Sequence, residues 1–232
     1  MSRIGIIGAM DLEVETLISE MSIEKSETRA QMTFNEGKLG DADVVVVKSG
    51  IGKINAAVCA QILVDDFKVT HLINTGVAGS LNSVLDIGDI LISDDAVHHD
   101  MDVSPLGYEP GQVPGMDVFS FKADDRLAAL AQETIGEVLP ELKSLRGRVV
   151  SGDQFIAGAA IKERLVSVFH GDCAEMEGAS IAHVAYLNSV PFVILRAISD
   201  KADGSASLDY PTFEHAAAIH SATLVTALVQ KI

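Results

Sequence analysis

Two short acidic segments in the last third of the chain carry residue types that move protons and hold cations. Ala174-Glu175-Met176-Glu177-Gly178 sets two carboxylates either side of a methionine at a predicted helix start, and Arg196-Ala197-Ile198-Ser199-Asp200 closes an apolar run that begins at Pro191. In an open α/β sheet, ligands bind outside the carboxyl ends of the strands and on the turns that follow. Carboxylates gathered there suit a reaction that stabilises positive charge or transfers protons. Taken singly, a capped helix start accounts for Glu175, Met176 and Glu177, and a structural ion pair accounts for Arg196 and Asp200.

Other segments add to the pattern. Gly5-Ile6-Ile7-Gly8-Ala9-Met10 lacks the full glycine spacing of a dinucleotide fingerprint, and Asp11, Glu13 and Glu15 would crowd a pyrophosphate with negative charge. Acidic residues at a helix start favour the macrodipole. That covers Asp11, whereas Glu13 fits equally a cleft beyond the first strand. Ser49-Gly50-Ile51-Gly52-Lys53 lacks phosphate-loop spacing and reads as a turn into a helix. Gly76-Val77-Ala78-Gly79 follows a predicted strand and suits either a tight turn or close approach to a small ligand. In Gly152-Asp153-Gln154-Phe155-Ile156, Phe155 either tucks into the core or offers a platform for a flat ring whose edge nearby backbone groups read. His98 and His99 adjoin in an extended stretch and face opposite sides, so no metal site is expected. Four glycine- or carboxylate-marked strand ends together favour a site.

The elements that must position these residues alternate between strand and helix. Strands are predicted over Arg3–Ala9, Met32–Leu39, Val44–Lys48, His71–Thr75, Asp89–Ser93, Arg146–Ser151 and Phe192–Ile198. Helices are predicted over Asp11–Glu20, Ile54–Val64, Asp124–Val138, Ile161–Phe169, Gly178–Leu187 and Phe213–Gln230. A long loop with three prolines fills Asp94–Phe121, and loops of that length in compact domains are usually functional. The alternation predicts an α/β sheet with helices on both faces, and the adjacent strands from Met32 to Lys48 predict a hairpin, hence a mixed sheet.

The 232 residues suit one α/β domain, and 48% hydrophobic content suffices for a sizeable core. Seventeen basic against 33 acidic residues give a formal charge of −16, which disfavours nucleic acid and anionic membranes as partners. Cys59 and Cys173 lack metal-ligand spacing and predict reduced thiols of a cytoplasmic protein. The short apolar run Ile4 to Met10 is followed at once by acidic residues, so no cleavable leader is expected, and no apolar run approaches the ~20 residues of a membrane span.

The segments IGIIGAM (4–10) with Glu13, SGIGK (49–53), NTGVAG (74–79), HHDMDV (98–103), GYEPGQ (107–112), SGDQFI (151–156), AEMEG (174–178) and VPFVILRAISDKAD (190–203) together resemble the 5′-methylthioadenosine/S-adenosylhomocysteine nucleosidases of the nucleoside phosphorylase/nucleosidase superfamily. They run in family order over nearly the whole chain. The resemblance implies a single α/β domain with a central mixed, twisted sheet partly closed into a barrel and flanked by helices, no cofactor, and a homodimer.

By the same resemblance, Glu13 would be the base that activates a water, and Asp200 the acid that protonates adenine at N7. Glu177, beside Met176 and Glu175, would hold the ribose hydroxyls. Phe155 would stack on adenine, the backbone of Ile156 would read its edge, Ser199 would orient Asp200, and Arg196 would sit near the water. Met10, Ile51, Ala78 and Gly79 would line the ribose and alkylthio side, with Tyr210 closing over the site. Val103, Leu106 and Pro114 would reach across the dimer interface. Val77 stands where many members carry a serine that touches the water; Leu106 and Tyr210 each stand where a phenylalanine is common. The expected reaction is hydrolysis of the N-ribosidic bond of 5′-methylthioadenosine, S-adenosylhomocysteine and 5′-deoxyadenosine. The alternatives are a nucleosidase for a futalosine-type compound, a phosphorylase, and a non-catalytic nucleoside-binding module.

Overall fold

One sheet gathers ten strands, and half of them close on themselves. The computed structural model describes residues 2–203 and 205–232, with Leu208 described by its backbone alone. In chain order the elements are β1 (Arg3–Gly8), α1 (Asp11–Glu20), β2 (Ser22–Arg29), β3 (Met32–Leu39), β4 (Ala42–Lys48), α2 (Lys53–Asp65), β5 (His71–Ser80), β6 (Ile90–His98), β7 (Phe121–Lys122), α3 (Asp125–Val138), β8 (Ser144–Ser151), α4 (Ala159–Phe169), β9 (Cys173–Glu175), α5 (Gly178–Asn188), β10 (Phe192–Asp200) and α6 (Ala206–Leu228). The sheet order is β10-β6-β8-β9-β5-β1-β4-β3-β2, and an extra parallel pairing of β10 with β5 closes β10, β6, β8, β9 and β5 into a five-stranded barrel. Strands β1, β4, β3 and β2 form an open wing that ends in the antiparallel β4, β3 and β2, while the short β7 pairs with β6.

The parallel strands β1, β4, β5 and β10 point the same way and are covered on both faces, so they read as continuous apolar runs. One face carries α2 and α5, whose buried Ala56, Cys59, Ala60, Leu63, Ile181 and Ala185 pack on Ile7, Val45 and Leu72. The other face carries α1, α3 and α6, whose Val14, Leu17, Leu127, Ala131, Leu224 and Leu228 pack on Ile6, Val46 and Ile73. Helix α4 contributes Leu165 and Phe169 to a smaller cluster with Val97, Val150 and Ile156. Both cysteines are buried and free. Among the described residues no helix is long and apolar enough to cross a membrane.

Several elements depart from the sequence expectation, among them β7, which the sequence does not predict, and α6, which begins at Ala206 rather than Phe213 and carries Pro211 within it. Strand β2 is exposed along nearly its whole length and pairs only with β3, so its sequence SIEKSETR shows no apolar alternation and reads as loop. Strand β9 has three residues and exists because β5 and β8 hold it from either side. Strand β5 continues through Gly76–Gly79, which are therefore strand rather than the turn after it. Strand β6 runs on to His98 because its Asp95 pairs with Arg148 of β8, at 2.6 Å, while Asp94 pairs with Arg146 at 2.5 Å.

Closure of the barrel leaves one local debt. The β6–β8 register shifts between Ser93 and Asp95, and the β10–β6 ladder ends at Leu195 with Ile92. The next amide, Ile194 N–H, donates instead to the buried Ser93 hydroxyl at 2.9 Å. Ser93→Ala strands that amide in the dry interior, and urea unfolding is expected to show a loss of about 1–3 kcal/mol. An unchanged midpoint and slope would show that the hydroxyl is not needed for closure.

Candidate active site

The carboxyl ends of β1, β5 and β10 converge on a cavity of about 350 Å³. Glu13 enters it from the first turn of α1. Gly8 makes this possible: a Cβ there would lie 2.6 Å from Val14 and 3.0 Å from the Cβ of Glu13, so only glycine lets the helix follow the strand so closely. Glu13 is 4% exposed, yet its carboxylate accepts three backbone N–H bonds, from Ala9 at 2.6 Å, Met10 at 3.0 Å and Val77 at 3.0 Å. A Cβ on Gly76 would collide with the Glu13 carboxylate. Burial pushes the Glu13 pKa above its ordinary value, against the opposing pull of the Arg196 charge and the three amides.

Beneath the cavity lies a buried charge network. Arg196 Nη2 donates to Glu175 Oε2 and to Asn74 Oδ1, both at 2.5 Å, and Nη1 donates to the Leu195 carbonyl at 3.3 Å. Glu175 also accepts from the Ser151 hydroxyl and from the N–H groups of Glu177 at 3.1 Å and Gly178 at 2.8 Å. It thereby caps α5 and aims Glu177 into the cavity. Burial alone would raise the Glu175 pKa, but Arg196, Ser151 and the Gly178 amide outweigh it and hold Glu175 below its ordinary value. Glu177 accepts from Gly52 N–H at 2.8 Å and lies 4.0 Å from Arg196. Burial and the negative charge of Glu175 push the Glu177 pKa up. The pair therefore divides: Glu175 stays ionised against Arg196, and Glu177 is the carboxyl that readily takes a proton.

Asp200 ends β10 with both oxygens engaged, one by the Ser199 hydroxyl at 2.9 Å and one by Ala202 N–H at 2.7 Å. Burial raises its pKa against these two bonds, with further help from the charges of Asp209 and Asp203. Lys162 of α4 donates to the carbonyls of Ser80 at 3.0 Å and Lys201 at 2.5 Å, tying the end of β5 to the residue after Asp200. The opening of the cavity is aromatic. Phe155, 52% exposed, meets Tyr210 edge to face at 5.6 Å between ring centroids, and the Tyr210 hydroxyl donates to Met10 Sδ at 3.4 Å. A narrow annex beside Asp200 is lined by Gln154, Phe155 and Ile156.

A family model described as the phosphorylase superfamily matches residues 3–230. The chain belongs to the phosphorylase superfamily. It is 42% identical over 231 residues to the 5′-methylthioadenosine/S-adenosylhomocysteine nucleosidase of Exiguobacterium sp., across 99% of this chain and 98% of that one. The 5′-methylthioadenosine/S-adenosylhomocysteine nucleosidase from Neisseria meningitidis, solved in complex with methylthio-immucillin-A, superposes with a TM-score of 0.96 at 34% identity over 100% of both chains. The native futalosine hydrolase of Helicobacter pylori superposes with a TM-score of 0.94 at 32% identity, over 100% of this chain and 98% of that one.

In this superfamily member the cavity gathers most of the residues singled out from sequence. Ala78, Gly79, Ser199 and Asp200 line it from the strand ends, Glu13 from the first turn of α1, Glu175, Met176 and Glu177 from the turn into α5, and Met10, Ile51, Phe155 and Tyr210 from its rim. Ile156 lines the annex. Arg196 does not line the cavity, because Asn74 and Glu175 engage its guanidinium below. Val103, Leu106 and Pro114 lie outside this chain's cavity on the loop after β6, with Leu106 76% exposed. His98 packs on Phe121 and His183 while His99 faces Phe169, so the two rings diverge. Asn74, Ser151 and Lys162 escaped the sequence reading; the first two open the NTGVAG and SGDQFI segments, which is the only signal they leave.

Glu175→Gln removes the charge partner of a guanidinium that is only 2% exposed. Urea unfolding is expected to register a loss of about 3–5 kcal/mol. A loss below about 1 kcal/mol would mean that the remaining neutral acceptors suffice to hold Arg196.

Proposed function

We propose that this protein hydrolyses the N-ribosidic bond of 5′-methylthioadenosine and S-adenosylhomocysteine, and of 5′-deoxyadenosine, releasing adenine and the 5′-substituted ribose. The observation that carries the reading is that Glu13, Glu177 and Asp200 line one cavity whose rim offers the Phe155 ring. Full-length relatives named as nucleosidases support it.

Cleavage of an N-ribosidic bond separates a ribosyl oxocarbenium ion from an adenine anion, both unstable in water. Asp200, its pKa raised by burial, donates a proton to adenine N7 so that the base leaves neutral. Ser199 orients that carboxyl. Phe155 stacks on adenine, and the backbone around Ile156 reads its edge. Glu177 binds the ribose hydroxyls, and its ionised form becomes increasingly favoured as the ring turns cationic, against the burial and the Glu175 charge that raise its pKa. Glu13 takes the proton of the attacking water, an acid-and-base division like that of inverting glycosidases. Val77 offers that water no hydroxyl, so the backbone and Glu13 must hold it.

Water rather than phosphate is the nucleophile in this reading. Among the described residues lining the cavity there is no lysine, arginine or histidine, and Arg196 below is matched by Glu175. A phosphate beside Glu13 would be repelled. A second reading, hydrolysis of a futalosine-type nucleoside by the same machinery, draws on the fold match to the futalosine hydrolase. The chain acts as one nucleosidase domain, as a homodimer in which Val103, Leu106 and Pro114 cover the alkylthio end of the partner's cavity. We place it in the cytoplasm, where it clears products of methyl-donor use for methionine salvage.

Adenine release in phosphate-free buffer, from both thioethers and from a futalosine-type nucleoside, tests the reading; a strict phosphate requirement overturns it. Glu13→Gln and Asp200→Asn are each expected to lower kcat by about 10²–10⁴-fold with the fold intact, and near-normal turnover in either would remove its role. The pH profile follows from the same groups. Glu13 must be ionised, so activity falls as pH drops through its pKa; Asp200 must hold its proton, so activity falls as pH rises through its pKa. Burial raises both above the ordinary 4.5 and 3.8, so both limbs of kcat/KM lie above those values.

A further inference from the structure

Three loops meet beside the cavity through four polar contacts, of which the one to Glu177 reaches its lining. Lys53 N–H, at the start of α2, donates to Asp153 Oδ1 at 2.8 Å. Asp153 N–H donates to Asp100 Oδ2 at 3.1 Å. The other oxygen of Asp100 receives the Lys53 ammonium at 2.5 Å, which closes the ring. One residue before Lys53, Gly52 N–H donates to the Glu177 carboxylate at 2.8 Å. Two residues after Asp153 stands Phe155.

We propose that Lys53 and Asp100 are positioning residues that clasp the 49–53 turn to the 151–156 turn and so hold the sugar-gripping carboxylate and the base platform in one fixed relation. The proposal rests on the nucleosidase reading above. Neither residue lines the cavity. Their side chains are only 21% and 20% exposed, so the pair is shielded more than a surface salt bridge. Burial would raise the Asp100 carboxyl, but the Lys53 ammonium and the Asp153 amide together hold it below its ordinary value, which keeps the clasp charged.

The clasp matters because the bond to be broken joins the two halves it aligns. Glu177 holds ribose and Phe155 holds adenine, and each half-site is complete without the other. A shift between them leaves adenine alone well bound, yet misplaces a ligand that must satisfy both at once. Misplacement of about 1 Å can cost on the order of 10²-fold in rate. Lys53 and Asp100 act through one contact, so removing either should forfeit the same alignment.

The test compares Asp100→Asn, Lys53→Met and the double variant, with Lys53→Arg as the conservative replacement. Two ligands are titrated by calorimetry: adenine, and a 5′-methylthioadenosine analogue in which a carbon–carbon bond replaces the N-ribosidic bond. The clasp predicts adenine affinity within about twofold of the parent, analogue affinity and kcat/KM lowered at least tenfold, a double variant no worse than the poorer single one, and recovery in Lys53→Arg. Parent-like analogue binding in both single variants overturns the proposal, as does equal loss of adenine and analogue with a lowered melting temperature. Binding does not require turnover. A parent protein that binds both ligands but releases no adenine from the thioether nucleosides would instead overturn the nucleosidase reading.

Discussion

A guanidinium shut away from water must find every partner within the fold, and Arg196 imposes that condition on the centre of this molecule. Its neighbours come from separate elements. Asn74 of β5 accepts from it while donating to the Ile7 carbonyl of β1 at 3.0 Å. Glu175 of β9 accepts from it while binding Ser151 of β8, whose hydroxyl in turn accepts from Ala179 N–H of α5 at 2.7 Å. Five strands and a helix are thus joined through one buried cation. The barrel closes around this chain of polar contacts, in which Arg196 Nε finds no hydrogen-bond partner, and the chain is also the floor of the cavity.

That shared floor explains how one small cavity keeps carboxyls with different tasks. Glu175 is spent on Arg196 and on the start of α5, so its charge is structural and constant. Glu177 feels that charge as repulsion and is left free to gain or lose a proton. Glu13 is set apart by a different means, three backbone amides and two glycines that leave it no room to turn. Asp200 is buried as well, and is tuned by that burial and by the Ser199 and Ala202 bonds at its own end of β10. Position along strand ends, rather than residue type, assigns the roles.

Much of the scaffold was legible because burial on both faces writes itself as apolar runs: β1, β4 and β10 could be found from Ile4–Ile7, Val44–Val47 and Phe192–Ile198. The strand-end carboxylates were legible because Glu175, Glu177 and Asp200 interrupt or end such runs. What stayed hidden depends on contacts far apart in sequence. Asn74 and Arg196 are 122 positions apart, and only closure of the barrel brings them together. Lys162 looks like any exposed helix lysine until α4 packs against the ends of β5 and β10. The glycines at 76 and 79 suit either a tight turn or close approach to a ligand; they stay in strand, with Gly79 lining the cavity and the carboxylates of Glu13 and Asp200 lying against the backbone where a Cβ would stand.

The absence of any cation among the described cavity-lining residues bears on which adenine-bearing molecules the cavity admits. An adenine nucleotide bears phosphate at its 5′ end. Such a ligand would bring negative charge into a carboxyl-lined cavity with no cation among its described lining residues to receive it, on a protein whose own formal charge is −16. A neutral thioether meets no such barrier. The lining therefore weighs against phosphorylated forms of the same base without a side chain dedicated to rejecting them.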